Sequence, residues 1–351
     1  MRKGIAILLT LALGVGVAGM AACTPSNNAA SAGSDAGSTS QKSNEPVRIG
    51  TMPTEDILPA WVAEKEGFFE EVGVDATIVS FDSAQTLSAA IAAGEVDMAM
   101  VDVMRAVKLC ESGTPVVMEW ITLGAEASQG AFGVMAGADA PYSNLQELAA
   151  YAAENAEALA GAGVGVAANT VPQYVYEKLC AEAGVDAATI PTEEVASLPE
   201  RYSLMAAGKL AAAALPASML EMGKANGLKL LADDTTGDNL SQSVMVARAS
   251  FADTEEGAEA VAKVAEAWNQ AVDAIAADPA AYRVLLAEKA NLNGSIAETY
   301  PVSDYPYAMA DGVMAYPPAA LVEPQIVWMS EKGYSTKGAT YDETTGVVTV
   351  S

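Results

Sequence analysis

Histidine is absent from all 351 residues. With it go Ser-His-Asp triads, Cys-His nucleophile pairs and His-ligated metal sites. Basic side chains are scarce: 18 Lys and Arg stand against 45 Asp and Glu, a formal net charge of -27. Such an excess repels nucleic acid and anionic lipid and argues against either as a partner, though it also serves plain solubility. Aromatics make up 6% of the chain and cysteines number 3. No GxxxxGK[ST] run occurs, so the chain supplies no ATP hydrolysis of its own. No cofactor and no metal are implied.

What is present begins with a short leader. Arg2 and Lys3 precede an apolar run over 5–17, which ends in small residues before a cysteine. The run is short for a membrane span. The ending Met20-Ala21-Ala22-Cys23 resembles the lipobox of a bacterial lipoprotein signal, with Met where Leu is usual. The resemblance implies cleavage before Cys23 and a lipid on its sulfur, an anchor that does not span the membrane. An ordinary secretory signal followed by a chance cysteine is the alternative. Residues 24–46 are rich in Ser, Gly, Ala and Asn and read as a flexible tether. A chain of this length divides into two domains. The expected division is a signal peptide over 1–22, a tether over 23–46, lobe one over 47–136 with 243–351, and lobe two over 137–242.

Residues 47–102 hold the clearest pattern. Apolar runs at 47–50, 76–79 and 98–101 each end in polar residues that introduce a helical period. Strands alternating with helices imply parallel sheets with right-handed crossovers. Further strands are expected over 116–121, 131–135, 164–168, 210–215, 228–232 and 243–248. Helices are expected over 58–72, 87–93, 103–112, 145–159, 171–183, 255–277, 280–290 and 319–332. Residues 300–316 read as irregular and Tyr/Pro-rich, close enough to approach a cleft. Residues 345–351 read as a short edge strand. Cys110 and Cys180 fall on helices of different lobes and are expected as buried free thiols.

Ligands of such sheets sit beyond the carboxyl ends of the strands. That puts Pro53, Thr54, Glu55, Phe81, Asp82, Ser83, Asp102 and Thr122 of lobe one beside a ligand. In lobe two the matching positions are Asn169, Thr170, Gln173 and Ser218. Asn169 and Thr170 open a helix with Pro172 in its first turn. They serve equally as caps or as part of a helix N-terminal site. Asp56 and Asp82 read as caps of following helices, a role that suits Glu55 and Asp102 less well. Carboxylates facing a cleft favour a solute with donors or positive charge. Arg105 and Arg201 leave an anion open. Phe81, Tyr174, Tyr202, Tyr305 and Tyr307 are candidates for stacking on a flat ring, although packing alone accounts for each.

The order "strand, PTEDILPAWVAEKEGFFEEVGVD, strand, FDSAQTLSAAIAAGEVDMAMVD" resembles the type 2 periplasmic binding proteins of ABC importers, in particular the nitrate/sulfonate/taurine and thiamine-pyrimidine branch. The resemblance is sharp over about residues 47–125 and continues beyond as an order of elements. It implies an α/β fold of two lobes, each a mostly parallel sheet flanked by helices, joined by two crossing segments at 131–136 and 243–248. It implies a small-molecule solute held in the interlobe cleft, with permease and ATPase subunits as partners, at the outer face of the cytoplasmic membrane. It implies binding rather than catalysis. The rivals are an enzyme on the same fold and a sensory lipoprotein. Thiamine-pyrimidine synthases of this branch rely on a histidine that this chain lacks, and the chorismate-type dehydratases are cytoplasmic. Loss of the Asp102 carboxylate by Asp102→Ala is expected to weaken solute binding by at least about 1 kcal/mol.

Overall fold

The computed structural model describes residues 45–130, 132–235, 240–292, 296, 298–302 and 304–351. The leader, Cys23 and the tether expected from the sequence lie outside the described residues.

Alternation of strand and helix is the organising feature. The first half of the chain runs β1 (Val47–Thr51), α1 (Leu58–Glu66), α2 (Phe68–Glu71), β2 (Ala76–Ser80), α3 (Ala84–Ala93), β3 (Met98–Asp102), α4 (Val103–Glu111), β4 (Val116–Leu123) and β5 (Phe132–Ala136). It continues through α5 (Leu145–Glu154), β6 (Val164–Val166), α6 (Val171–Glu182), β7 (Thr192–Glu194), α7 (Leu198–Ala206), β8 (Ala212–Pro216), α8 (Ala217–Ala225) and β9 (Lys229–Asp233). Then come β10 (Ser243–Arg248), α9 (Ala249–Ala252), α10 (Glu255–Ala277), α11 (Arg283–Lys289), β11 (Met309–Ala310), β12 (Val313–Met314), α12 (Ala319–Glu331), β13 (Ala339–Asp342) and β14 (Val347–Val350). Among the described residues no helix is long and apolar enough to cross a membrane.

The strands form two main sheets. The larger has the order β13-β14-β4-β10-β3-β1-β2 and the smaller β7-β6-β8-β5-β9. In the larger sheet β13, β4, β3, β1 and β2 share one direction, against β14 and β10. In the smaller only β5 runs against its neighbours. Both sheets are therefore mostly parallel. The reversed strands β5 and β10 are those that carry the chain from one sheet to the other. These are the two lobes of a type 2 periplasmic-binding-protein fold.

Local chemistry explains most boundaries. Ser83, Asn144, Ser197 and Thr254 each accept a backbone N–H two or three residues into α3, α5, α7 and α10, satisfying donors a helix leaves orphaned. The helix expected over 58–72 is broken in two, because Gly67 adopts a left-handed φ of 85° and its N–H closes α1 on the Ala63 carbonyl. The helix expected from 280 opens as a 3-10 turn over Pro279–Tyr282. Residues 155–161 have left the helix expected to run to 159. The C-terminal strand is a further correction. β14 lies inside the larger sheet, bonded to both β4 and β13, and the missed strand β13 forms the edge.

Helix α10 buries Val261, Val264, Ala265, Trp268 and Val272 against Trp61 and Val62 of α1. Trp268 meets Trp120 of β4 with ring centroids 5.8 Å apart, a tilted pair suited to the ring quadrupoles. Cys110 and Cys180 are buried free thiols. The stretches that lead from β4 towards β5 and from β9 into β10 touch backbone to backbone. Gly124 has φ +85°, and a Cβ there would sit 1.8 Å from the Ser241 carbonyl oxygen.

Candidate functional site

The chain leaves β1 into a buried turn, Met52 to Ile57, at the carboxyl edge of the larger sheet. Within it the Thr54 hydroxyl donates to Asp56 Oδ1 at 2.5 Å. The Ser243 hydroxyl, at the start of β10, donates to the other oxygen of the same carboxylate. Asp56 is fully enclosed, and burial pushes its pKa up against the pull of these two hydroxyls. Glu55, beside it, is pushed up to about 7, first by burial and then by the charge of Asp56.

Two lobe-one carboxylates reach helix N-termini of lobe two. Asp102 ends β3 and caps α4, its Oδ1 accepting from the Arg105 N–H at 2.6 Å. Its Oδ2 accepts from the Val171 N–H at 3.4 Å, the first residue of α6. Glu55 Oε2 accepts from the Ser218 N–H of α8 at 3.2 Å. Such N-termini offer free donors and the positive end of a helix dipole. Here the protein's own carboxylates hold both. Burial also raises the Asp102 pKa, with Arg105 opposing it.

Between the lobes lies a cavity of about 40 Å³, room for roughly three waters. Lobe one contributes Thr54, Asp56, Met100, Asp102 and Ser243; the second sheet and its helices contribute Phe132, Thr170, Leu198 and Arg201. Arg201 is 1% exposed. Its guanidinium donates to the carbonyls of Val195, Ala196 and Ala214, and burial lowers its pKa to about 10, so it stays charged at neutral pH. Among the described residues no group of three or more His, Cys, Asp or Glu is gathered as a metal ion would need.

Of the residues proposed from the sequence as ligand contacts, Thr54, Asp102 and Thr170 line this cavity, as do Asp56, read there as a cap, and Arg201, read there as leaving an anion open. Glu55 and Ser218 bond to each other across the lobes. Pro53 and Thr122 are buried but do not line the cavity; Phe81 is half-buried and packs on the core; Asp82 is exposed. Ser83, not Asp82, caps α3. Asn169 has φ 56° and gives its N–H to Gln173 Oε1 at 2.9 Å, while Thr170 donates to the Ala167 carbonyl. Neither side chain caps α6, and its first N–H is given to Asp102. Gln173 is held by Glu177 and Tyr334. None of the five aromatics considered for stacking lines the cavity; Phe132 does. The Tyr-rich segment does reach the site's back wall, where Tyr305 donates to the Glu55 carbonyl at 2.8 Å.

The sequence pattern marks Asp56 only as a helix cap and does not mark Ser243, Phe132 or Met100, all of which line the cavity. Asp56 had a signal, since it adjoins Glu55 at a strand end. Ser243 had a weaker one, as the first residue of a crossing strand.

A model of the NMT1-like family matches residues 40–291. No curated protein sequence matches the chain. Among solved structures, the alkanesulfonate-binding protein SsuA from Xanthomonas axonopodis pv. citri, bound to MOPS, is similar with a TM-score of 0.64 and 16% identity, covering 82% of this chain and 92% of that one. The periplasmic aliphatic sulphonate binding protein SsuA from Escherichia coli has a TM-score of 0.64 at 15% identity, over 84% and 95% of the two chains. The periplasmic nitrate-binding protein NrtA from Synechocystis PCC 6803 has a TM-score of 0.64 at 14% identity, over 83% and 82%. At these identities the likeness is one of fold.

Proposed function

The chain belongs to the NMT1-like family, and from that premise we propose that it is the solute-binding component of an ABC importer, outside the cytoplasm. It takes a small polar organic solute between its lobes and presents the closed form to permease and ATPase subunits. In this reading the division expected from the sequence, 47–136 with 243–351 as lobe one and 137–242 as lobe two, is kept except that β5 (Phe132–Ala136) goes to lobe two, because it pairs with β8 and β9 of the smaller sheet. The carrying observation is the cavity bounded by both lobes, with buried Asp56 and Asp102 on one wall and Arg201 on the other. A solute touching both walls binds the closed form better than the open one, and that difference is all that hinge closure requires.

The carboxylates favour a solute with amine or ring N–H donors, hence an amine or a heterocycle. The sulfonate- and nitrate-binding relatives suggest an anion as the second reading. Against it, the N-termini of α6 and α8 already hold Asp102 and Glu55. Buried Arg201 and buried Arg105, whose Nε has no hydrogen-bond partner among the described residues, speak for it. Pro53, Phe81, Asp82, Ser83, Thr122, Asn169 and Gln173 belong to the proposed cleft only if the lobes part further.

A thermal-shift screen with aminopyrimidines, polyamines, amino acids, alkylsulfonates and nitrate tests the reading. A solute at a hundred times its Kd adds about 2.7 kcal/mol to stability. Silence from every class would remove the receptor reading. For a solute that binds, Asp102→Asn is expected to weaken affinity by at least about 1 kcal/mol. Asn is the better replacement because it keeps an acceptor for the α4 cap, which Ala would lose. Unchanged affinity would take Asp102 out of the site.

We further propose that Cys23 carries a lipid that holds the chain to the membrane, on the strength of Met20-Ala21-Ala22-Cys23. Cys23→Ser is expected to move the protein from the membrane pellet to the soluble fraction. An unaltered distribution would leave the leader an ordinary signal.

A further inference from the structure

Helix α12 belongs to lobe one, but one of its faces is spent on lobe two. Its middle is rooted beside the start of β10, where Gln325 Nε2 donates to Gln242 Oε1 at 2.6 Å. The residues that follow it are stapled to α4. Lys108 Nζ donates to the Tyr334 carbonyl at 2.9 Å, and Lys337 Nζ to the Glu111 carbonyl at 2.7 Å. Asp102 joins the N-termini of α4 and α6. The segment from α12 to Tyr334 thus touches both helices that meet at Asp102.

The side chains that reach α6 form one continuous seam. Trp328, 5% exposed, gives its indole N–H to Glu177 Oε2 at 3.0 Å, and Lys332 Nζ meets the same oxygen at 2.6 Å. Gln173 Nε2 donates to the other Glu177 oxygen at 3.0 Å and to the Tyr334 hydroxyl at 2.8 Å. The Trp328 ring stands edge-on to Tyr174 of α6, with centroids 5.3 Å apart, and lies 5.5 Å from Tyr334. The seam runs on to the turn before α6, because Gln173 Oε1 also accepts the Asn169 N–H. Glu177 is its knot. Parting the lobes would take an indole N–H and an ammonium from this carboxylate in one step, and such charge-assisted bonds are about twice as strong as neutral ones.

We propose that α12 and Tyr334 form a latch by which the protein's own groups bias the lobes toward closure, with Gln173, Glu177, Trp328 and Tyr334 as positioning residues. None of these side chains lines the cavity, so their effect on a solute runs through the lobe equilibrium. A latch that keeps the competent form populated spares the solute that work, and apparent affinity falls in proportion when the competent fraction falls. The inference goes beyond the receptor reading, since it concerns how the lobes move whether or not a solute is added.

Hydrogen exchange on the intact chain, with no solute added, tests the latch. The Val171 and Ser218 N–H groups bond to Asp102 and Glu55 across the lobes, so their exchange reports opening. Glu177→Ala, and Trp328→Phe combined with Tyr334→Phe, are each expected to speed both amides by at least about tenfold. Glu177→Gln should fall in between, because it keeps an acceptor for the indole N–H. The amides of α10, in the core of lobe one, should keep their rates. Ser335→Ala is the control: it loses a bond to Glu111 inside lobe one and should leave Val171 and Ser218 as they were. Unchanged exchange at Val171 and Ser218 in the Glu177→Ala and combined variants overturns the latch. So does equal acceleration in α10, which would make the seam a prop of the whole fold. Either failure leaves the receptor reading standing, because no solute enters the measurement.

Discussion

Thermal stability is expected to rise as the pH is lowered from about 8 to about 5, the reverse of what a salt-bridged acidic protein does. Burial pushes Glu119 up to about 7 and Asp234 up to about 6. Glu55 reaches about 7 through burial and the charge of Asp56, and burial raises Asp56 and Asp102 as well. A carboxyl whose pKa is higher folded than unfolded binds its proton more tightly in the native state. Its contribution is complete below the unfolded value near 4 and is lost as the pH rises through 6 to 7. For Glu119 alone, 4% exposed, the linkage amounts to about 3 kcal/mol. Glu55 and Asp56 share one desolvated patch and do not add independently. Asp97 works the other way. Burial raises it, but hydrogen bonds and charge from Arg48 and Arg248 outweigh that and hold it low. Its contribution fails only below about 4. The midpoint should therefore peak near pH 5. Glu119→Gln should raise stability at pH 8 and flatten the curve. A midpoint that falls steadily from pH 8 to 5 would refute the assignment of buried, protonatable carboxyls.

The second large effect is expected at Gly124. Its left-handed φ costs an L-residue about 1–2 kcal/mol, and a Cβ would stand 1.8 Å from the Ser241 carbonyl oxygen. Backbone on both sides must move, which adds about 1–3 kcal/mol. Gly124→Ala is thus expected to lose about 3 kcal/mol in urea unfolding. Gly113 is the control: its φ is +90°, yet nothing lies within 4 Å of a Cβ there. Gly113→Ala should lose only the conformational part. Equal losses at the two sites would mean that the stretches leading into β5 and β10 are not pressed together at Gly124. The same clash predicts altered solute affinity in Gly124→Ala, because it acts where the two lobes are joined.

Much of the fold was legible because local signals agreed with it. The apolar run SVMVAR and the 3.6-residue period of 255–277 coincide with β10 and α10. What escaped was tertiary. Asp102 reads as a ligand residue because it follows a strand, but its first partners are its own helix and the first N–H of α6. Ser243 reaches Asp56 across 187 positions of sequence. No local pattern marks such a pairing. Arg201 sits on an ordinary amphipathic helix, and the three carbonyls that hold its guanidinium come together only once β8 and the 195–196 loop are folded against it. The strand β13 was missed because four residues of mixed character have no strand signal apart from their partner β14.

The position of β10 also sets an order in time. It fills the middle of the larger sheet, between β3 and β4, yet it is made after every strand of the smaller sheet. Residues 132–233 contain all five strands of that smaller sheet in one unbroken stretch. Residues 47–123 contain the older part of the larger sheet with a slot one strand wide, and both sides of the slot are open edges. A nascent chain that has emerged only to residue 240 can finish its second lobe but not its first. The lobe begun earlier is the one completed later, and its closure waits on pairings of long sequence separation, which are slow to form. The slot between β3 and β4 is therefore where a chaperone or an unwanted strand finds the young protein unguarded.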